Sequence, residues 1–219
     1  MIKAPNFADL EWLDHGFGLR DSVLPEQIRT VKQIHSAIVV DAASSVKEGD
    51  AIISDHSGTV VGIKTADCVP VLLVDASAKV VAAIHAGWRG TAENIVAGTI
   101  QQLVTRWEVD PGNIRAAIGP SIGVCCYEVG PDVARRFGKW MPELEHAAAL
   151  VQLDLRAINE VQLKEAGVTN VWKSAECTFC APERFFSFRR EREQAGRMMS
   201  FIGLQKNIGR TSMGPPGKP

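Results

Sequence analysis

The chain has 219 residues, with 24 Lys and Arg against 25 Asp and Glu, for a formal charge of −1. That balance provides no basic field to collect nucleic acid, and 46% apolar with 22% charged residues excludes bulk disorder. The opening MIKAPNFADLEWLD has no apolar stretch of signal-peptide type, and no run of about eighteen apolar residues occurs anywhere. A cytoplasmic protein with no nucleic-acid or membrane partner is expected, and its size and composition permit a monomer.

Taken in chain order, IVVDA (38–42), AIISD (51–55), VVGIKTA (60–66), VPVLLVDA (69–76) and VVAAIHA (80–86) read as strands, rich in Val and Ile and punctuated by Gly, Ser or Asp. VPVLLV is apolar on both faces, as a central covered strand would be. Strands this close, with no helix between them, argue for hairpins and antiparallel or mixed pairing. The spacing from Thr91 through Ile95, Val96, Thr99, Ile100, Leu103 and Trp107 predicts one helix, stopped by Asp110-Pro111-Gly112. IRAAIG (114–119) is a further strand, and a second helix is expected over 154–166 with Gly167 past its end. VTNVWKS (168–174) is another strand, followed by the short runs FFSFRR and MMSFIGL. FFSFRR is expected as part of a half-buried strand with Arg heads at a pocket rim. One α+β domain of mixed and antiparallel sheets packed with helices is expected over 1–205, with a mobile tail over 206–219.

Five cysteines, 68, 125, 126, 177 and 180, make an odd number in a chain without an export signal, so free thiols, a metal site or a catalytic thiol are favoured over disulfides. Cys68 and His85 end successive strands, and a hairpin would bring them to the same sheet end. With His35 they form a Cys-His-His set that suits zinc with one coordination position open. The same residues suit a Cys–His nucleophilic pair equally, and spacing does not separate the two. Gly87-Trp88-Arg89-Gly90 opens the first helix and reads as an anion site or as a plain tight turn. Cys177-Thr178-Phe179-Cys180 lacks a second CxxC. Adjacent Cys125-Cys126 have awkward geometry for chelating one ion, so these four thiols are expected to be incidental.

Lys32-Gln33-Ile34-His35, Gly49-Asp50-Ala51, Thr65-Ala66-Asp67-Cys68-Val69-Pro70, His85-Ala86-Gly87-Trp88-Arg89-Gly90, Ile118-Gly119-Pro120 and Phe186-Ser187-Phe188-Arg189-Arg190 occur together and in this order. The combination resembles the YfiH family, also known as laccase-domain proteins, multicopper polyphenol oxidases or peptidoglycan editing factors, over about residues 8–204. The resemblance implies a single α+β domain related to the catalytic domain of cytotoxic necrotising factor toxins. It also implies one zinc ion held by His35, Cys68 and His85, which double as the catalytic residues, and Gln33, Asp50 and Arg89 as substrate-binding or supporting residues. The implied activity is purine nucleoside phosphorolysis of adenosine, inosine, guanosine and methylthioadenosine, with adenosine deamination beside it, so purine nucleoside and phosphate are the expected partners. The family's editing name suggests an alternative, hydrolysis of an amide in a UDP-muramoyl precursor. A multicopper centre is not expected from five His with no His-x-His pair. Asp67 is a candidate general acid for the leaving purine.

Overall fold

The computed structural model describes residues 1–206. In chain order its strands are β1 (Leu13–Phe17), β2 (Val39–Asp41), β3 (Ala51–Ser54), β4 (Val60–Thr65), β5 (Val69–Asp75), β6 (Val80–Ala86), β7 (Ile114–Ile118), β8 (Glu128–Val129), β9 (Val151–Gln152), β10 (Asn170–Lys173) and β11 (Met198–Leu204). The helices are α1 (Trp88–Ala92), α2 (Ile95–Trp107), α3 (Pro131–Ala134), α4 (Leu155–Glu165) and α5 (Phe188–Glu191). Apart from Lys206, the expected tail lies outside the described residues. Among the described residues no helix is long and apolar enough to cross a membrane.

The apolar run at 69–76 becomes the strand it was expected to be. β5 and β6 form an antiparallel hairpin in which every residue is buried. Because side chains alternate across a strand, Val71, Leu73, Ala82 and Ile84 enter one core while Leu72, Val74, Val81 and Ala83 enter another. This hairpin lies at the centre of a six-stranded sheet ordered β10-β7-β5-β6-β3-β2. Only the β2–β3 and β7–β10 pairs are parallel. One face packs against α2 and α4 through Ile95, Ile100, Leu103, Ile158 and Leu163. The other packs against a three-stranded antiparallel sheet, β1-β11-β4, through Phe17, Ile63 and Ile202. The result is a single domain of helices, sheet and sheet, with mixed and antiparallel pairing as expected.

Three expectations change. The first helix is two pieces, because Asn94 adopts left-handed backbone geometry (φ 60°) between α1 and α2. FFSFRR is not a strand: Ser187 Oγ accepts the Arg190 N–H, and the chain turns into the short α5. β1 is an added strand, since Asp14, His15 and Gly16 give it little intrinsic β preference and pairing with β11 supplies its structure. The helix over 154–166 does form, with the Asp154 carboxylate accepting the Ala157 N–H at 3.0 Å and Gly167 at φ 93° behind it.

Candidate active site and metal centre

The β5–β6 hairpin fixes two of the expected donors. Cys68 immediately precedes β5, and His85 is the penultimate residue of β6, directly opposite Pro70. His35 comes from the loop before β2, and its ring lies 4.9 Å from that of His85 at 82°. One ligand atom from each of the three lies within 4.8 Å of the others. Glycine leaves room beside them: a Cβ on Gly87 would meet Cys68 Sγ at 3.3 Å, His35 Cδ2 at 3.3 Å and His85 Cε1 at 3.6 Å. Two non-glycine residues at the site, His35 (φ 59°) and Asp67 (φ 84°), hold left-handed backbone conformations, a cost typical of pre-organised sites.

Asp50, wholly buried, organises this corner. Its carboxylate accepts from the backbone N–H groups of Ile34, His35 and Ser36 at 3.2, 3.0 and 2.6 Å and from Ser36 Oγ at 2.7 Å. It also meets His85 Nδ1 at 2.8 Å, which leaves Nε2 free to face Cys68. Burial opposes ionisation of Asp50, but the His85 and Ser36 bonds prevail and hold its pKa at about 2. Burial likewise lowers His85, yet its bonds to Asp50 and Cys68 raise it to about 9. For Cys68, burial pushes the thiol up and the bonds from His35 and His85 overcome this, bringing it down to about 6. The result is a thiolate held between the His35 and His85 rings, backed by a carboxylate. Asp50, wholly buried and outside the cavity lining, is placed to support the donors.

The three donors open onto a cavity of about 680 Å³. Its wall carries the aromatic side chains of Trp88, Tyr127 and Phe188 and a cationic set that includes Arg89, Arg189, Arg192 and Arg197. Arg89 is exposed at the cavity with its guanidinium 4.4 Å from the Trp88 ring, although α1 itself is only five residues long. Gln33 also lines the cavity, but its amide exchanges two hydrogen bonds with the Lys64 backbone, at 2.7 and 2.8 Å, so it braces the wall. Asp67 is engaged in a similar way. Its carboxylate accepts from Thr178 Oγ1 at 2.6 Å, Ser187 Oγ at 3.0 Å and the Arg189 N–H at 2.6 Å. These three bonds tie Asp67, the candidate general acid, to the 178–189 segment. Sequence reasoning passed over Tyr127, whose phenol burial keeps neutral, with a pKa pushed up to about 12.

The remaining histidines stand apart. His15 is buried in the second core region with Nε2 accepting the Ala4 N–H at 3.0 Å; His56 pairs with Asp55 at 2.7 Å, and His146 is exposed. The remaining thiols do not. Cys125, Cys126, Cys177 and Cys180, expected to be incidental, present sulfurs within 4.8 Å of one another.

The Cys-His-His pocket at the end of the central hairpin, walled by aromatic and cationic side chains, is a candidate small-molecule site whose three donors could hold a metal ion. Residues 18–205 match the family model described as multi-copper polyphenol oxidoreductase laccase, and the chain belongs to that YfiH- and laccase-like family. It is 39% identical over 188 residues to a purine nucleoside phosphorylase of Clostridium acetobutylicum, covering 84% of this chain and 80% of the relative. It is 36% identical over 205 residues to the adenosine deaminase RL5 of an unknown prokaryotic organism, covering 87% and 77% respectively. The crystal structure of YlmD from Geobacillus stearothermophilus superposes with a TM-score of 0.75 at 35% identity, covering 82% of this chain and 74% of that one.

Proposed function

We propose that the chain is a zinc-dependent purine nucleoside phosphorylase acting on adenosine, inosine, guanosine and methylthioadenosine, with adenosine deamination as a side activity. The observation that carries this reading is the Cys-His-His set opening onto one aromatic and cationic cavity. The donors fit zinc: a thiolate and two imidazoles with a fourth position open. They do not fit a multicopper centre, because three of the five histidines lie away from the cluster. Bound there, zinc would supply an electrophilic centre that stabilises developing negative charge and makes water a better nucleophile at neutral pH. The names of the relatives carry purine phosphorolysis and adenosine deamination, so hydrolysis of a cell-wall precursor is not the favoured alternative.

The chain's own groups account for the remaining requirements. Asp50 holds the Nδ1 side of His85 and so fixes its tautomer and orientation. The guanidinium groups of Arg89, Arg189, Arg192 and Arg197 give phosphate a cationic seat, neutralising it and orienting one oxygen toward the anomeric carbon. The faces of Trp88, Tyr127 and Phe188 offer apolar surface for the purine. In phosphorolysis an oxygen of hydrogen phosphate bonds C1′ of the ribose as the bond to the purine breaks, and the departing base takes the electron pair and, in net, the proton that the phosphate gives up. Tyr127, a neutral phenol on the wall, is the chain's hydrogen-bond donor for that base. Deamination replaces the C6 amino group of adenosine with oxygen from water and releases ammonia, so it needs the same purine seat but no phosphate.

Cys68→Ala and His85→Ala should each stay folded, lose one equivalent of zinc and lose adenosine turnover by at least about a thousandfold, since one removed reacting group commonly costs that order. Far-ultraviolet circular dichroism, metal analysis and product chromatography on the same preparations check this. Turnover close to that of the unaltered protein in either folded variant would contradict the assignment.

A further inference from the structure

Cys125 and Cys126 lie in a tight turn in which the Gly123 carbonyl accepts from the N–H groups of Cys126 and Tyr127, at 3.0 and 3.1 Å. Neighbouring side chains point to opposite sides of an extended strand, but within a helical turn they diverge by only about 100°. This turn therefore lets both sulfurs face the same side. Opposite them, residues 177–180 form a second turn, tied on by the bridge between Ser121 and Cys177 and by the Thr178 N–H to Ser121 O bond of 3.0 Å. Cys180 Sγ lies 3.8 Å from Cys125 Sγ and 3.4 Å from Cys126 Sγ. A tetrahedral zinc–thiolate site with bonds of about 2.3 Å has sulfurs about 3.8 Å apart. Cys180 thus already stands at nearly that separation from Cys125 and Cys126, and all four sulfurs lie within 4.8 Å of one another.

The surroundings suit a cluster of negative sulfur. The Gly123 N–H donates to Cys177 Sγ at 3.2 Å, an N–H···S contact of the kind that stabilises a bound thiolate. A Cβ on residue 123 would lie 3.2 Å from Cys125 Sγ and 3.0 Å from Arg156 Nη2, so glycine is what lets the turn close on the sulfurs. Four thiolates around a divalent ion carry a net charge of about −2, and two guanidinium groups stand behind the Cys177–Cys180 turn. Arg156 Nη1 donates to the carbonyls of Ser174 and Glu176, and Arg190 Nη1 to those of Thr178 and Phe179.

We infer that Cys125, Cys126, Cys177 and Cys180 form a second metal site, a closed tetrathiolate centre for a zinc ion separate from the Cys-His-His pocket. With all four positions filled by sulfur it has no place for a reacting group, so its role is structural. It clamps the loop bearing Ile122 and Tyr127, two cavity residues, to the segment bearing Thr178, which holds Asp67. Binding releases the thiol protons and leaves the oxidation state of every atom unchanged. The site does not depend on the purine reading, because none of its four donors lines the cavity or belongs to the other donor set.

The test uses the full chain purified under reducing conditions, with zinc as the probe. The unaltered protein should bind two equivalents, one per cluster. The double variant Cys125→Ser, Cys180→Ser should bind one. Cobalt titration of the Cys68→Ala variant, in which these four are the only thiols left, should give thiolate-to-cobalt charge-transfer absorption at one ion per chain, whether or not the double variant folds. Absence of that absorption with four titratable thiols present would overturn the inference. So would zinc content unchanged by the double substitution, or disulfides that, once reduced, yield thiols unable to take up either metal.

Discussion

Asp50 carries more of the site than its distance from the cavity suggests. Five donors converge on one carboxylate, and three of them are consecutive backbone N–H groups that can meet only because His35 takes up φ 59°. Asp50→Asn keeps the volume but loses the charge and turns one acceptor into a donor. Zinc affinity measured by chelator competition should fall about 10- to 100-fold, the usual effect of losing a partner that orients a ligand. Unchanged affinity would mean that His35 and His85 are held by other contacts. Cys68 and His85 could be placed side by side from sequence, because a hairpin between 69 and 86 forces the two strand ends together, whereas His35 comes from a loop that the hairpin does not place. The Asp50 network could not, since a loop's hydrogen bonds depend on its backbone angles, for which residue types give no periodic signal. Adjacency made Cys125-Cys126 look awkward for chelating one ion, and the tight turn that brings their sulfurs near those of Cys177 and Cys180 has no sequence periodicity either.

At the level of elements, the strands were read well where burial on two faces makes sequence and structure coincide, as in β5 and β6. Reading failed where a side-chain contact decides, as at α5, which exists because Ser187 caps it and Asp67 accepts the Arg189 N–H. Asp67→Ala would leave Thr178, Ser187 and the Arg189 amide without a partner for their protons. A hydrogen bond to a charged acceptor is worth about 1.5–3 kcal/mol, so a loss of about 3 kcal/mol or more in unfolding free energy is expected. Protease cleavage within 178–192 should accelerate as that segment loosens, and the KM for phosphate should rise because Arg189 and Arg192 line the cavity. Denaturant unfolding and steady-state kinetics check both. A variant as stable as the unaltered protein would show that Asp67 does not anchor the segment.

Across the whole molecule, the layered packing makes stability depend on pH through a residue remote from the site. Burial, aided by Lys3, lowers His15 from 6.5 to about 4. The unfolded chain therefore takes up a proton at that side chain before the folded one does. The contribution is complete above about pH 6.5 and shrinks as pH falls toward about 4. His15→Gln should lose less stability than the unaltered protein between about pH 7 and about pH 5. Denaturant midpoints at the two pH values decide it, and an equal loss in both proteins would remove His15 from the account.

In the proposed function one pocket, with its Cys-His-His donors, breaks the bond between a purine and its ribose using phosphate. Incubating zinc-loaded protein with adenosine, with and without phosphate, and resolving the products by chromatography tests it most directly. Adenine and ribose 1-phosphate should appear only when phosphate is present, and inosine should appear slowly in both cases. If neither adenine nor inosine forms in protein whose Cys-His-His site is loaded, the purine assignment is contradicted.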